Sequence, residues 1–435
     1  LNQPPFNPNA AQTTRGLLRR ARVTWSAMAP ATRRLLAARF WRSIGQGMLV
    51  VDLALYLRAL GWSGAAIGLV LSAAGLVGAG LNLAVGVTSD RLRRKPFLLA
   101  YEVMTCVCAL VAMSRSDAAL LSTAIVLAGF GRGANGAAGP FAPAEQAWLA
   151  EAVELPQRGF IYSLNTAFGF IGMALGALAG ASPALWIRAL GQANSFRPLF
   201  FLVLFGNAIN VVLLATTPER RRVALRTPGQ RSAAPSRSDR RARENRFLVS
   251  LMSLNAFNGM AVGLTGPLIS YWFAVRFGVG PRVIGPVMAI TFAVTAASAF
   301  AMGYLTQRFG LVRAVVWGRS GGVVLLMLLP LMPLYALAAL VYVARSALNR
   351  GTVGARQALV ISVVGDERRG LAASLNALSM QLPMSAGPAI AGALIGGGWL
   401  AAPFYAAGAL QGLYVYFYNR VFGPVERAVM DEGDL

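Results

Sequence analysis

Asp52, Glu102, Arg132 and Arg350 stand inside stretches otherwise built of Leu, Val, Ala and Gly, with Arg345 on the same stretch as Arg350. An ionised group in hydrocarbon is costly and survives with a partner or along an aqueous path, so such residues mark routes for protons, ions or substrate. Asp52 offers a carboxyl that can take up and release a proton. Low dielectric favours its neutral form and a close guanidinium its anion. Arg132 is the group that would swing that balance, and a fixed Asp52–Arg132 ion pair is the alternative. Arg132 and Arg350 together make a pair of cations able to grip an anion bidentately. Glu102, and Glu145 close to Pro143, fall nearer the ends of their stretches and read as residues of a cytoplasmic gate.

Around these charges lie amides and aromatics: Gln46, Tyr56, Asn165, Phe168, Asn255, Asn258, Tyr271, Trp272 and Asn376. Sparse polar groups in an apolar wall suit an amphipathic small molecule. Tyr271-Trp272 read equally well as anchors at the membrane interface. The sequence has no His, no paired nucleophile and base, and no Gly-x-x-x-x-Gly-Lys-Ser/Thr loop, so neither an enzyme site nor an ATP-driven pump is expected. Cys106 and Cys108 read as small packing residues, and no metal or cofactor is called for.

The elements that must carry these residues are membrane helices. The chain has 435 residues, of which 56% are hydrophobic and 13% charged, against about 25% charged in soluble proteins. Twelve stretches approach the ~20 residues needed to cross a bilayer. The first six are about 40–60, 64–85, 97–115, 119–148, 159–182 and 198–216. The second six are about 247–274, 283–302, 314–332, 336–363, 371–397 and 402–421. The two longest, 119–148 and 336–363, are expected to tilt or project. The expected organisation is an N-terminal arm over 1–36, bundles over 37–217 and 247–422, an Arg-rich linker over 218–246, and a tail over 423–435.

The net charge of +24 sits mainly in short connections and tails. This is the distribution of Lys and Arg in cytoplasmic loops, and it argues for topology rather than nucleic-acid binding. Both termini and the linker are therefore expected in the cytoplasm of a bacterial cell, beneath its inner membrane. The alternate loops, near Trp62, Asp117 and Pro333, carry almost no charge.

The two sextets repeat one another. Gln146-Ala147 returns as Gln357-Ala358 and Ser163-Leu164-Asn165 as Ser374-Leu375-Asn376, both offset by 211. Arg132-Gly133 returns as Arg350-Gly351, offset 218, and Gly86 as Gly303, offset 217. Asn258-Gly259-Met260 aligns with Gln46-Gly47-Met48. The loop Gly86-Val87-Thr88-Ser89-Asp90-Arg91-Leu92-Arg93-Arg94-Lys95 has its worn copy in Gly303 to Arg313, which keeps Arg308 and Arg313 but has Gln307 in place of the acid.

That loop resembles the Gly-x-x-x-Asp-Arg/Lys-x-Gly-Arg-Arg/Lys motif of the major facilitator superfamily. Gly86, Asp90, Arg91, Arg94 and Lys95 match it, and Arg93 replaces the second glycine. The resemblance implies an all-α membrane protein of two six-helix bundles related by a pseudo-two-fold axis, working by alternating access, with the motif as a gate. It implies for Arg132 the role of the fourth-helix arginine in proton-coupled exporters. The Gly-Pro element that such exporters carry in helix five is absent, since Ala177 follows Gly176, and Gly387-Pro388 in span eleven has it instead. The glycines of span five then read as tight packing. The expected function is proton-coupled export of small amphipathic molecules by a monomer. The alternatives are an organic-anion transporter with Arg132 and Arg350 as clamp, or a non-transporting receptor or scaffold on the same fold.

Overall fold

The computed structural model describes residues 28–88, 94–131, 145, 148–149, 153, 158–218, 237–352 and 369–433. Asp90, Arg91 and Arg132 lie outside the described residues. Fourteen helices are described: α1 (Pro30–Ala59), α2 (Gly64–Thr88), α3 (Arg94–Ser114), α4 (Ala118–Ala128), α5 (Arg158–Ala179), α6 (Pro183–Leu190), α7 (Arg197–Thr216), α8 (Arg237–Thr265), α9 (Ile269–Phe277), α10 (Pro281–Phe309), α11 (Leu311–Leu328), α12 (Tyr335–Gly351), α13 (Arg369–Gly396) and α14 (Ala402–Gly433). No strand occurs among the described residues. Eight described stretches are long and apolar enough to cross a membrane. The first span falls outside that set because Arg42, Asp52 and Arg58 interrupt it, and α4 because its described length is short.

Several boundaries differ from the sequence expectation, and α14 runs on to Gly433 through the stretch read as tail. Helix α1 starts at Pro30, at a first-turn position where the missing N–H costs nothing, and so draws Arg39 and Arg42 into the bundle. The span expected over 119–148 stops at Ala128, where Gly129 adopts φ 66° and its N–H closes on Ile125 O; Gly131 follows at φ 75°. Only glycine enters that region freely, so α4 ends there; 132–144 lie outside the described residues. The span expected over 247–274 is split at Gly266-Pro267, where proline has no N–H to continue the ladder. Helix α8 also reaches back to Arg237, into the stretch read as linker.

Packing follows the repeat. In the first half α1 lies on α5 and α7, α3 on α7, and α2 on α4; in the second half α8 lies on α13 and α14, α11 on α14, and α10 on α12. Two seams join the halves, α2 with α13 and α5 with α10. Lipid tails are as apolar as the helices, so close backbone approach rather than hydrophobic burial must hold such contacts. Gly47 faces the Met173 backbone, while Gly172 and Gly176 face the backbones of Phe40 and Ile44. Gly259 and Gly263 meet Met380 and Met384 in the same way across α8 and α13. The glycine ladder of span five is thus a packing surface for α1. At the seam, Gly64 meets Gly392 and Gly68 meets Pro388. Asn82 Nδ2 donates to Gln381 Oε1 at 2.7 Å, and Ser72 Oγ accepts from the Ala389 N–H at 2.8 Å.

A side chain at Gly176 would strike the Ile44 carbonyl. We expect Gly176→Leu to lower stability by at least about 1–3 kcal/mol, the usual cost of overpacking. Thermal unfolding of the detergent-solubilised protein measures this, and an unchanged midpoint would refute the α1–α5 contact.

Candidate functional site

A buried ionic cluster lies inside the first half. Arg42 Nε is 3.0 Å from Glu102 Oε1, and Arg42 Nη1 donates to Glu145 Oε2 at 2.7 Å. All three side chains are almost fully enclosed. Arg39, at 3% exposure, is an electrostatic neighbour of both Glu145 and Arg42. Two cations thus face two anions, the arrangement that lets guanidinium groups exist away from water. Glu102 stands near the middle of α3 rather than toward an end, because α3 begins at Arg94 rather than at 97. Glu145 is drawn to α1. Arg39 falls just before the span expected from 40 and Arg42 at its very edge, so neither stands out in the sequence.

The second half has a counterpart. Arg319, also 3% exposed, donates from Nη1 to Asn258 Oδ1 at 2.6 Å and from Nε to Thr352 Oγ1 at 3.1 Å, with its guanidinium 5.3 Å from the Tyr414 ring centroid. Arg319 and Glu102 are 217 residues apart, the offset of Gly303 and Gly86. The same position therefore carries an acid in one half and a base in the other. Sliding that offset along the sequence from Glu102 would have found Arg319.

The polar candidates separate into two groups. Several are spent on packing: Asn255 Nδ2 donates to Asn376 Oδ1 at 2.7 Å and to Ser379 Oγ at 3.1 Å, tying α8 to α13, and Asn258 is held by Arg319. Tyr56 packs its ring on Phe196 and Phe200. Trp272 is buried against Phe404 and donates to Leu400 O, so it is neither interfacial nor lining. Asn165 is buried on α5. Gln46 lines an internal cavity of about 50 Å³ beside Arg42 and Glu102. Arg350 lies at the end of α12, its guanidinium 5.6 Å from the Phe292 centroid, and its Nη1 is buried without an acceptor among the described residues.

Asp52 is 1% exposed, and neither carboxylate oxygen has a hydrogen-bond partner among the described residues. It is not central. It lies two turns, about 10 Å, from the Ala59 end of α1. A methyl on Gly180 would come within 2.5 Å of its Oδ2. The halves meet close by: Ser270 Oγ donates to Val50 O at 3.2 Å, Gly285 backs onto Ala177 and Ala181, and the Arg58 guanidinium lies 5.9 Å from the Tyr271 centroid. This face, opposite the start of α1, is sealed.

Of the motif residues, Lys95 donates to Ala215 O at 2.6 Å and Thr217 O at 3.0 Å, and Arg34 reaches Thr216 O, so cations cap the carbonyl end of α7. Arg94 is buried. Gly86 falls within α2, and Gly303 within α10. Arg308 is exposed and 5.4 Å from the Phe309 centroid, and Arg313 is exposed at the start of α11.

The sequence model of the Major Facilitator Superfamily matches residues 35–255 and again 251–430. The chain belongs to the major facilitator superfamily. It is a multi-pass membrane transporter and not an enzyme. Solved structures of the superfamily share its fold. A variant of the nucleoside transporter NupG aligns with TM-score 0.69 at 12% identity, over 90% of this chain and 100% of that one. A D-xylose-proton symporter gives 0.67 at 15%, over 89% and 96%. A bacterial homologue of the human lysosomal transporter Spinster, inward-facing and unoccupied, gives 0.64 at 15%, over 89% and 94%. No curated protein matches the chain in sequence.

Removing Arg42 strands two buried carboxylates, whereas among the described residues removing Arg319 strands the neutral Asn258 and Thr352. We expect Arg42→Leu to cost about 3–5 kcal/mol and Arg319→Leu about 1–3 kcal/mol. Paired unfolding measurements check the order, and an Arg319 loss equal to or greater than that of Arg42 would count against it.

Proposed function

We propose that this superfamily member is a secondary active transporter that exports small amphipathic molecules in exchange for protons across a bacterial inner membrane, acting as a monomer by alternating access. The basic loops support a cytoplasmic position for the face on which α1 begins. The sealed face is then periplasmic. Asp52 carries the reading. A carboxylate with no hydrogen-bond partner among the described residues, closed off beneath that seal, is costly as an anion, by several kcal/mol. Parting the Ser270–Val50 and Gly285–Ala177 contacts would admit water to it. Closure then selects molecules in which Asp52 has taken a proton from the periplasmic side, and release inward completes the exchange. Gly86, Asp90 and Arg91 with Arg94 and Lys95 act as the cytoplasmic gate, and Arg132 as the cation that discharges Asp52.

Proteoliposomes carrying a trapped pH indicator test this with ethidium as substrate. The wild type should move protons against ethidium. Asp52→Asn should keep its thermal midpoint, since the amide imitates the neutral acid, yet lose proton movement. A variant that still couples would end the proposal for Asp52.

A second reading, organic-anion transport, is favoured by Arg350, whose buried Nη1 lacks an acceptor among the described residues. A bidentate carboxylate would supply one. Under this reading Arg350→Ala weakens benzoate binding by about tenfold or more, a loss of ~1.4 kcal/mol. Unchanged affinity by calorimetry would remove the clamp.

A further inference from the structure

The internal cavity of the first half lies between α1, α3, α4 and α7 and holds about 50 Å³. What faces it is decided by where its donors have gone. Tyr101 Oη donates to Ala128 O at 2.7 Å, and Thr105 Oγ donates to Tyr101 O at 2.9 Å. Asn207 Nδ2 donates to Val203 O at 2.9 Å. Arg42 directs Nε and Nη1 to Glu102 and Glu145. Each of these residues lines the cavity or grips a residue that does, and each has committed a donor elsewhere.

Oxygen remains. Gln46 Oε1 is buried with no hydrogen-bond partner among the described residues. The Thr105 hydroxyl keeps its lone pairs, and Asn207 has spent its N–H and not its carbonyl. Glu102, 1% exposed, adds a carboxylate. Helix α4 ends on this cavity at Ala128 and Gly129, turning toward it the partial negative charge of a helix C-terminus. The Arg42 guanidinium in the wall is matched by Glu102 and Glu145, so its repulsion is met locally. A cavity of this size has room for about three or four waters, or for a bare small ion and one water, and none for an organic cation. Hard monovalent and divalent ions take oxygen ligands of this kind. One carboxylate already shared with Arg42 suits the lower charge.

We propose that this cavity is a binding site for a small monovalent cation, sodium in size, held by Gln46, Thr105, Asn207 and Glu102. It is separate from the Asp52 reading and adds an ion site to the first half that the second half, with Arg319 at the position of Glu102, does not repeat.

The test is thermal unfolding of the full-length protein in detergent, in NaCl titrated against choline chloride at constant ionic strength and pH. The midpoint should rise with sodium and saturate, because an ion bound only to the folded state stabilises it. Thr105→Val and Gln46→Leu should each shift half-saturation to at least about tenfold higher sodium, and Gln46→Glu to lower sodium. Asp52→Asn should leave the sodium response intact, so loss of proton coupling and loss of this site are told apart. Equal midpoints in sodium and choline for the wild type, or a sodium response unaltered in both Thr105→Val and Gln46→Leu, would show a cavity that holds water only and overturn the proposal.

Discussion

Arg42 stands in a helix that must cross lipid, where a lone guanidinium costs several kcal/mol, and that cost is met only because α3 brings Glu102 and the chain beyond α4 brings Glu145. Much of the first half follows from this. The pairing fixes the height of α3 against α1 and draws the segment after Ala128 back to the bundle, where Trp148 and Leu149 are buried with Leu35 and Leu98. It also leaves a polar hollow in the middle of an otherwise greasy bundle. At the matching position the second half sets Arg319 against Asn258 and Thr352, so among the described residues the two bundles are alike in shape and unlike in charge.

The glycines supply the other half of the construction. Where α1 meets α5 and α8 meets α13, backbone touches backbone, and each helix pair moves as a block because no side chain lies between them to yield. The joint between halves differs along the two seams. That of α2 with α13 combines Gly64–Gly392 contact at one end with the Asn82–Gln381 bond far along α2. Such a pair of rigid blocks, joined along two seams, has the parts that alternating access requires.

How much of this was legible in the sequence depended on what kind of signal carried it. Duplication was plain, because an offset such as 217 survives divergence in the spacing of Gly86 and Gly303 when identity has faded. Apolar runs gave most helices, and the exceptions are instructive. The ends of α1 and α4 were misjudged because hydropathy reports where lipid begins and not where a backbone stops: α1 continues polar to Pro30, and α4 stops at a left-handed Gly129 within apolar sequence. Asp52 and Glu102 were picked out by charge alone. Their depths were not, since depth depends on those same ends. Asn255, Asn258 and Asn376 looked like cavity lining because an amide in a membrane helix gives no hint of whether its partner is a ligand or a neighbouring helix; here Asn376 and Arg319 are the partners.

The second of the two prolines in α13 has a mechanical consequence. Pro388 interrupts the hydrogen-bond ladder, and the N–H of Ala389 turns outward to Ser72 on the other half. The two blocks therefore share a bond that an unbroken helix would have kept to itself. Drawing them apart returns that N–H to its own helix or to water, so parting the seam and repairing the ladder of α13 are one event, and a flaw in a single helix becomes a latch between the halves.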